Sequence, residues 1–93
     1  MIDQKSIILL ARRDHVEAMR VAAGLTIYGH EVRLIFMDRP VSDEDAQSEQ
    51  AELLELCEIE PETTVKEMSS VLKYLSPAQL ATVLSESDAV LNI

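Results

Sequence analysis

The chain has 93 residues, 47% of them apolar and 27% charged, with two Gly, three Pro and one Cys. That length holds one domain with a small core. The composition excludes wholesale disorder and collagen-like repeats, and no apolar run approaches the roughly 20 residues of a membrane span. The net charge of −9 is unevenly spread: residues 1–40 carry six Lys/Arg against five Asp/Glu, residues 41–93 two against twelve. So acidic a surface repels nucleic-acid phosphates and anionic lipid, and one Phe, two Tyr and no Trp offer no platform for stacked bases. The start, Met1-Ile2-Asp3-Gln4-Lys5, has an acid and no cationic n-region, so the expectation is a protein without a secretory leader, in the cytoplasm. One cysteine makes neither an internal disulfide nor a Cys-based zinc site.

Ser6-Ile7-Ile8-Leu9-Leu10-Ala11 is an apolar, β-branched run of the kind buried on both faces of a parallel sheet. Asp14 caps the following helix, with Glu17 placed to complete a capping box. Val16, Met19, Ala23 and Ile27 recur at helical spacing with Ala22 and Thr26 beside them, and Gly29 supplies the left-handed residue that ends the helix. Glu31 to Met37 is the second strand, so strand, helix and strand form a βαβ unit, the mark of an α/β layer fold. From Ser42 the chain reads as one acidic helix, Asp43, Glu44 and Asp45 at its start and Ala46, Gln50, Leu53, Leu54 and Cys57 on its apolar face, ended by Pro61.

The segment from Glu62 to Leu75 has two readings. Thr63-Thr64-Val65 favours a strand over 63–67, whereas Met68, Val71, Leu72 and Leu75 follow a helical stripe, with Thr64 and Glu67 as a capping box. Ser76-Pro77 starts a helix through Leu80, Ala81 and Leu84. Ala89-Val90-Leu91-Asn92-Ile93 is a final strand, expected to be buried.

Ligands of open α/β sheets bind outside the carboxyl ends of the strands, where strand order reverses. That rim holds Arg12, Arg13 and Arg39, which beside a helix start suit a small anion or nucleotide, with His15 as an acid or base. Solvated arginines and a simple Asp14 cap account for the same residues, and no glycine-rich phosphate loop is present. Cys57 reads first as a small hydrophobe beside Leu53 and Leu54; Glu52, Glu55, Glu58 and Glu60 around it disfavour a thiolate, which leaves it a weak catalytic candidate. His15 and His30 lie at opposite ends of one helix, and Asp43-Glu44-Asp45 lacks the spacing of a calcium loop, so no metal site and no cofactor are expected.

Ser6 to Leu10, then Ala18, Ala22 and Ala23, then Tyr28-Gly29-His30-Glu31-Val32, and finally Leu75-Ser76-Pro77-Ala78-Gln79-Leu80 and Ser87-Asp88-Ala89-Val90-Leu91-Asn92-Ile93 form an ordered series. That series resembles the DsrE/DsrF-like family of small sulfur-metabolism proteins over most of the chain, least so over residues 40–62. The resemblance implies a single DsrE-like domain over residues 1–93, with a flavodoxin-like or Rossmann-like parallel sheet of about four strands flanked by helices. It favours the strand over 63–67. It also implies a homo-oligomer or a subunit of a hetero-oligomer. Active members carry a cysteine just after the third strand that accepts a persulfide; here Lys66-Glu67-Met68-Ser69-Ser70 has none. The reading is a non-catalytic DsrE-like protein acting through oligomerisation or partner binding, its acidic half suited to a basic protein partner. The alternatives are an anion- or nucleotide-binding module at Arg12, Arg13, His15 and Arg39, and a sulfur-transfer protein using Cys57.

Overall fold

The structure, a computed structural model, describes residues 4–93. Met1, Ile2 and Asp3, part of the start read as no leader, lie outside the described residues. Five parallel strands, β1 (Ser6–Ala11), β2 (Glu31–Phe36), β3 (Glu62–Thr63), β4 (Lys73–Tyr74) and β5 (Ala89–Asn92), form one sheet in the order β4-β3-β2-β1-β5. The helices are α1 (His15–Ile27), α2 (Asp43–Ala46), α3 (Glu49–Leu56) and α4 (Pro77–Ser85). Without the two-residue β4, the order is that of a Rossmann half-sheet.

Strand alternation divides the core in two. Leu9, Ala11, Leu34 and Phe36 face α1 and α3, packing with Ala18, Met19, Ala22 and Leu54. Ile8, Leu10 and Ile35 face the other way, where Leu80, Val83 and Leu84 of α4 close over them with Leu75. The sheet is therefore covered on both faces, as all-parallel sheets require.

The helix boundaries follow local chemistry. The Glu17 amide donates to Asp14 Oδ1 at 3.0 Å, and Gly29 takes φ 98° after the helix end. The predicted box at Asp14 is half formed, because the Glu17 carboxylate turns to Arg20 instead of back to the cap. At α4 the box is complete: Gln79 N–H donates to Ser76 Oγ at 3.2 Å and Ser76 N–H to Gln79 Oε1 at 2.9 Å.

Five expectations are corrected. The sheet has five strands rather than about four. The single helix from Ser42 is two, because Ser48 donates to the Asp45 carbonyl at 2.7 Å and accepts from the Ala51 amide at 3.2 Å, capping a new helix. The strand over 63–67 is confined to Glu62–Thr63. It stops there because Thr63 Oγ1 donates to the Phe36 carbonyl and accepts the Val65 amide, both at 3.0 Å, which turns the chain into a 3₁₀ turn at Lys66–Met68. The stripe from Met68 to Leu75 accordingly forms no α-helix; it runs through that turn into β4. Finally, β5 is exposed along its whole length rather than buried, since it is the last strand of the sheet.

Candidate functional site

The chain steps outward from β1 through β2 and β3 to β4, then returns over α4 to β5 on the far side of β1. Strand order reverses between β1 and β5, and a cleft of about 630 Å³ opens there, lined by Arg12, Arg13, Asp38, Asn92 and Ile93. Such a crevice is where open α/β sheets take their ligands. Three of the four residues singled out at this rim are brought together, and two of the three arginines already hold internal partners. Arg39 donates from Nη1 to the Arg12 carbonyl at 3.1 Å and from Nη2 to the Arg13 carbonyl at 2.6 Å. Arg12 Nε lies 3.4 Å from Asp38 Oδ2, both side chains half exposed. The backbone amides of Arg12 and Arg13, which an anion would use, both donate to the Ile93 carbonyl, at 2.7 and 2.9 Å. Asp38 takes the left-handed φ of 72° that short polar residues tolerate. Arg13 alone among the rim arginines hydrogen-bonds through its side chain to no other described residue.

His15, the fourth residue, lies beneath the rim, 1% exposed, its ring edge-on to Phe36 with centroids 5.0 Å apart. Neither ring nitrogen has a hydrogen-bond partner among the described residues. Burial, and then the positive charge of Arg39, hold its pKa below the usual 6.5; the nearby Met37 backbone and the carboxylates of Asp45 and Asp14 oppose this more weakly. The folded protein thus keeps His15 neutral at pH values where the unfolded chain protonates it. Stability from this residue is intact above about pH 6.5 and declines as pH falls below it. The expected result is a urea midpoint that drops between about pH 7 and pH 5.5, with a smaller drop in His15→Leu. At neutral pH, His15→Leu is expected to leave stability unchanged or raise it by about 1 kcal/mol, since two unpartnered polar atoms leave the core. An unchanged acid slope in the variant would contradict this account.

Cys57 caps the carboxyl end of α3, half-buried, with Sγ 4.0 Å from the Ala23 carbonyl on α1. Helices run back against parallel strands, so this thiol lies at the opposite end of the sheet from the arginine rim. His30 sits at that same far end, its Nδ1 accepting the Lys5 amide at 3.1 Å. A second hollow of about 440 Å³ lies between the sheet and α2–α3, among Met19, Phe36, Leu54, Ile59, Met68 and Leu72; Asp43 and Glu55 are its acidic lining. Among the described residues no three His, Cys, Asp or Glu side chains converge as a metal site, and no helix is long and apolar enough to cross a membrane.

Two features escaped the sequence reading. One is the bidentate pair of Arg33 with Glu62, at 2.8 and 2.7 Å; its signal was an arginine inside an otherwise apolar strand. The other is the exposure of β5, which an apolar sequence alone does not reveal. Comparison of the chain with protein-family models, with curated proteins and with solved structures finds no match.

Proposed function

We propose that this chain is a non-catalytic assembly domain of DsrE-like type, acting in the cytoplasm by association with a protein partner in the setting of sulfur metabolism. The observation that carries the reading is the free edge of the sheet: Ala89 to Asn92 are exposed, Val90 and Leu91 each 39%, and no strand among the described residues pairs their outer side. Chemistry at the two expected sites is disfavoured by the same geometry. Arg39 and the backbone amides of Arg12 and Arg13 are spent on internal contacts, and Arg12 is paired with Asp38. The thiol stands apart from the rim, and Lys66 to Ser70, where active relatives of the resembled family hold their cysteine, has none. The carboxylates of α2 and α3 suit a basic partner surface.

One observation favours a second reading, a small-anion or nucleotide module: the cleft at the switch point with the uncommitted Arg13 beside it. Two assays separate the readings. Reduced protein treated with a persulfide donor is expected to gain no sulfur by intact mass while folded. Inorganic phosphate is expected to leave its melting temperature unchanged. One added sulfur atom, absent in Cys57→Ala, would replace assembly with sulfur transfer. Stabilisation by phosphate that disappears in Arg13→Ala would replace it with anion binding.

A further inference from the structure

We infer that β5 pairs antiparallel with β5 of a second copy, about a two-fold axis at Leu91, joining the two sheets into one. This names the partner for the assembly reading and rests on it.

The two edges of the sheet are not alike. β4 has two residues and one of them is Lys73, and short length and lysine are both devices that keep an edge from pairing. β5 has neither device, and no proline or bulge: Ala89-Val90-Leu91-Asn92 is a regular strand that, among the described residues, pairs with β1 on one side only. Hydrogen bonds fix which of its backbone groups are free. The Ile93 amide donates to the Leu10 carbonyl at 3.0 Å, and the Ile93 carbonyl accepts the Arg12 amide. In a parallel ladder alternate residues bond to the same neighbour. Ala89, Leu91 and Ile93 therefore turn their polar groups toward β1, and Val90 and Asn92 turn theirs outward.

That alternation selects a register. An antiparallel pair exchanges both bonds between residues whose groups face each other. Val90 opposite Asn92 of the second copy, and Asn92 opposite its Val90, satisfy every outward group of the strand. The competing register, Val90 opposite Val90, sets Asn92 against Asp88, whose amide is already turned inward to the Ser6 carbonyl at 2.8 Å. The chosen register places Leu91 opposite its own copy in a non-hydrogen-bonded pair, where side chains approach most closely. Leu91 is level with Leu9 on the face covered by α1, and it remains 39% exposed there.

Charge agrees with the antiparallel sense. Glu86 and Asp88 stand at the amino end of β5, while Arg12 and Arg13 stand at its carboxyl end, bonded to Ile93. A two-fold axis brings each acidic end beside the basic end of the other copy. The carboxylates of α3 lie away from this edge, over β2, with Leu54 packed on Leu34 and Phe36.

Sedimentation velocity from micromolar to millimolar protein is expected to show a mass that doubles with concentration. Val90→Pro removes an outward N–H and no bond to β1, so it is expected to stay monomeric with a native circular dichroism spectrum. Leu91→Arg, which sets like charges on the axis, is expected to do the same and serves if the proline variant unfolds. Leu91→Cys in a Cys57→Ala background is expected to cross-link into a covalent dimer under mild thiol oxidation. A wild type that is monomeric throughout, a dimer that survives in both edge variants, or a Leu91→Cys dimer that does not cross-link would overturn the inference. None of these results touches the assembly reading, which falls only on sulfur uptake or phosphate binding.

Discussion

Arg33→Ala is expected to lower the unfolding free energy by about 2 kcal/mol, seen as a lower urea midpoint and a melting temperature about 10 °C down. Glu62 opens β3 with its side chain 9% exposed, level with Ile35 and two residues along the same face from Arg33. Its carboxylate receives two parallel bonds from the guanidinium, the geometry in which arginine is strongest. Hydrogen bonding to Glu62 also raises the Arg33 pKa, so the guanidinium keeps its charge at every working pH. Removing the arginine leaves a buried carboxylate without its counter-ion, which in a closed interior costs about 3–5 kcal/mol. Arg33 is 36% exposed, so water reaches the pair and the smaller figure applies.

Loss on deleting one partner does not mean that the pair is a net source of stability. Removing two charges together leaves no orphan, and apolar replacements of similar volume often match or exceed a buried ion pair. The double variant Arg33→Leu with Glu62→Leu is therefore expected to be more stable than Arg33→Ala. If the double variant is instead the weaker of the two, the pair contributes stability beyond satisfying Glu62. The pair ties β3, a strand of two residues, to β2 beside the Thr63 hydroxyl bond to the Phe36 carbonyl.

Elements whose signals are local were legible. The β-branched run of β1, the Asp14 cap with Gly29 at the other end, and Ser76-Pro77 with Gln79 each declare themselves within a few residues. What depends on the rest of the sheet was not. Residues 62–75 carry an apolar spacing that fits a helix, but Thr63 spends its hydroxyl on the Phe36 carbonyl of a strand 27 positions earlier. The rim arginines were found, yet the engagement of Arg39 by the Arg12 and Arg13 carbonyls is a property of the assembled sheet. The same holds for His15, chosen as an acid or base on its place in a loop and found 1% exposed against Phe36. In α1 the helical stripe placed Met19, Ala22 and Ala23 on the buried face, where they are, but it also took in Val16 and Ile27 and missed His15 and Ala18; Val16 is only partly buried and Ile27 is 70% exposed.

That alanine face makes Leu34→Ala the second large effect, a loss of about 3–4 kcal/mol from a total of roughly 5–14 for a chain of this size. Small residues on α1 let the helix lie close to the sheet, so β1 and β2 must supply the bulk through Leu9, Leu34 and Phe36. Leu34 is fully buried among Ala18, Ala22 and Leu9. When its side chain is cut back, the facing alanines have no rotamer with which to refill the space, and the strand is held on both sides by β1 and β3. A site that cannot collapse sits high in the range for leucine truncation. Ile27→Ala, on the same helix but exposed, is expected to change stability by less than about 0.5 kcal/mol. Paired urea titrations decide the matter: a Leu34→Ala loss close to that of Ile27→Ala would mean that α1 can settle onto the sheet, and that its alanines do not set the spacing of the core.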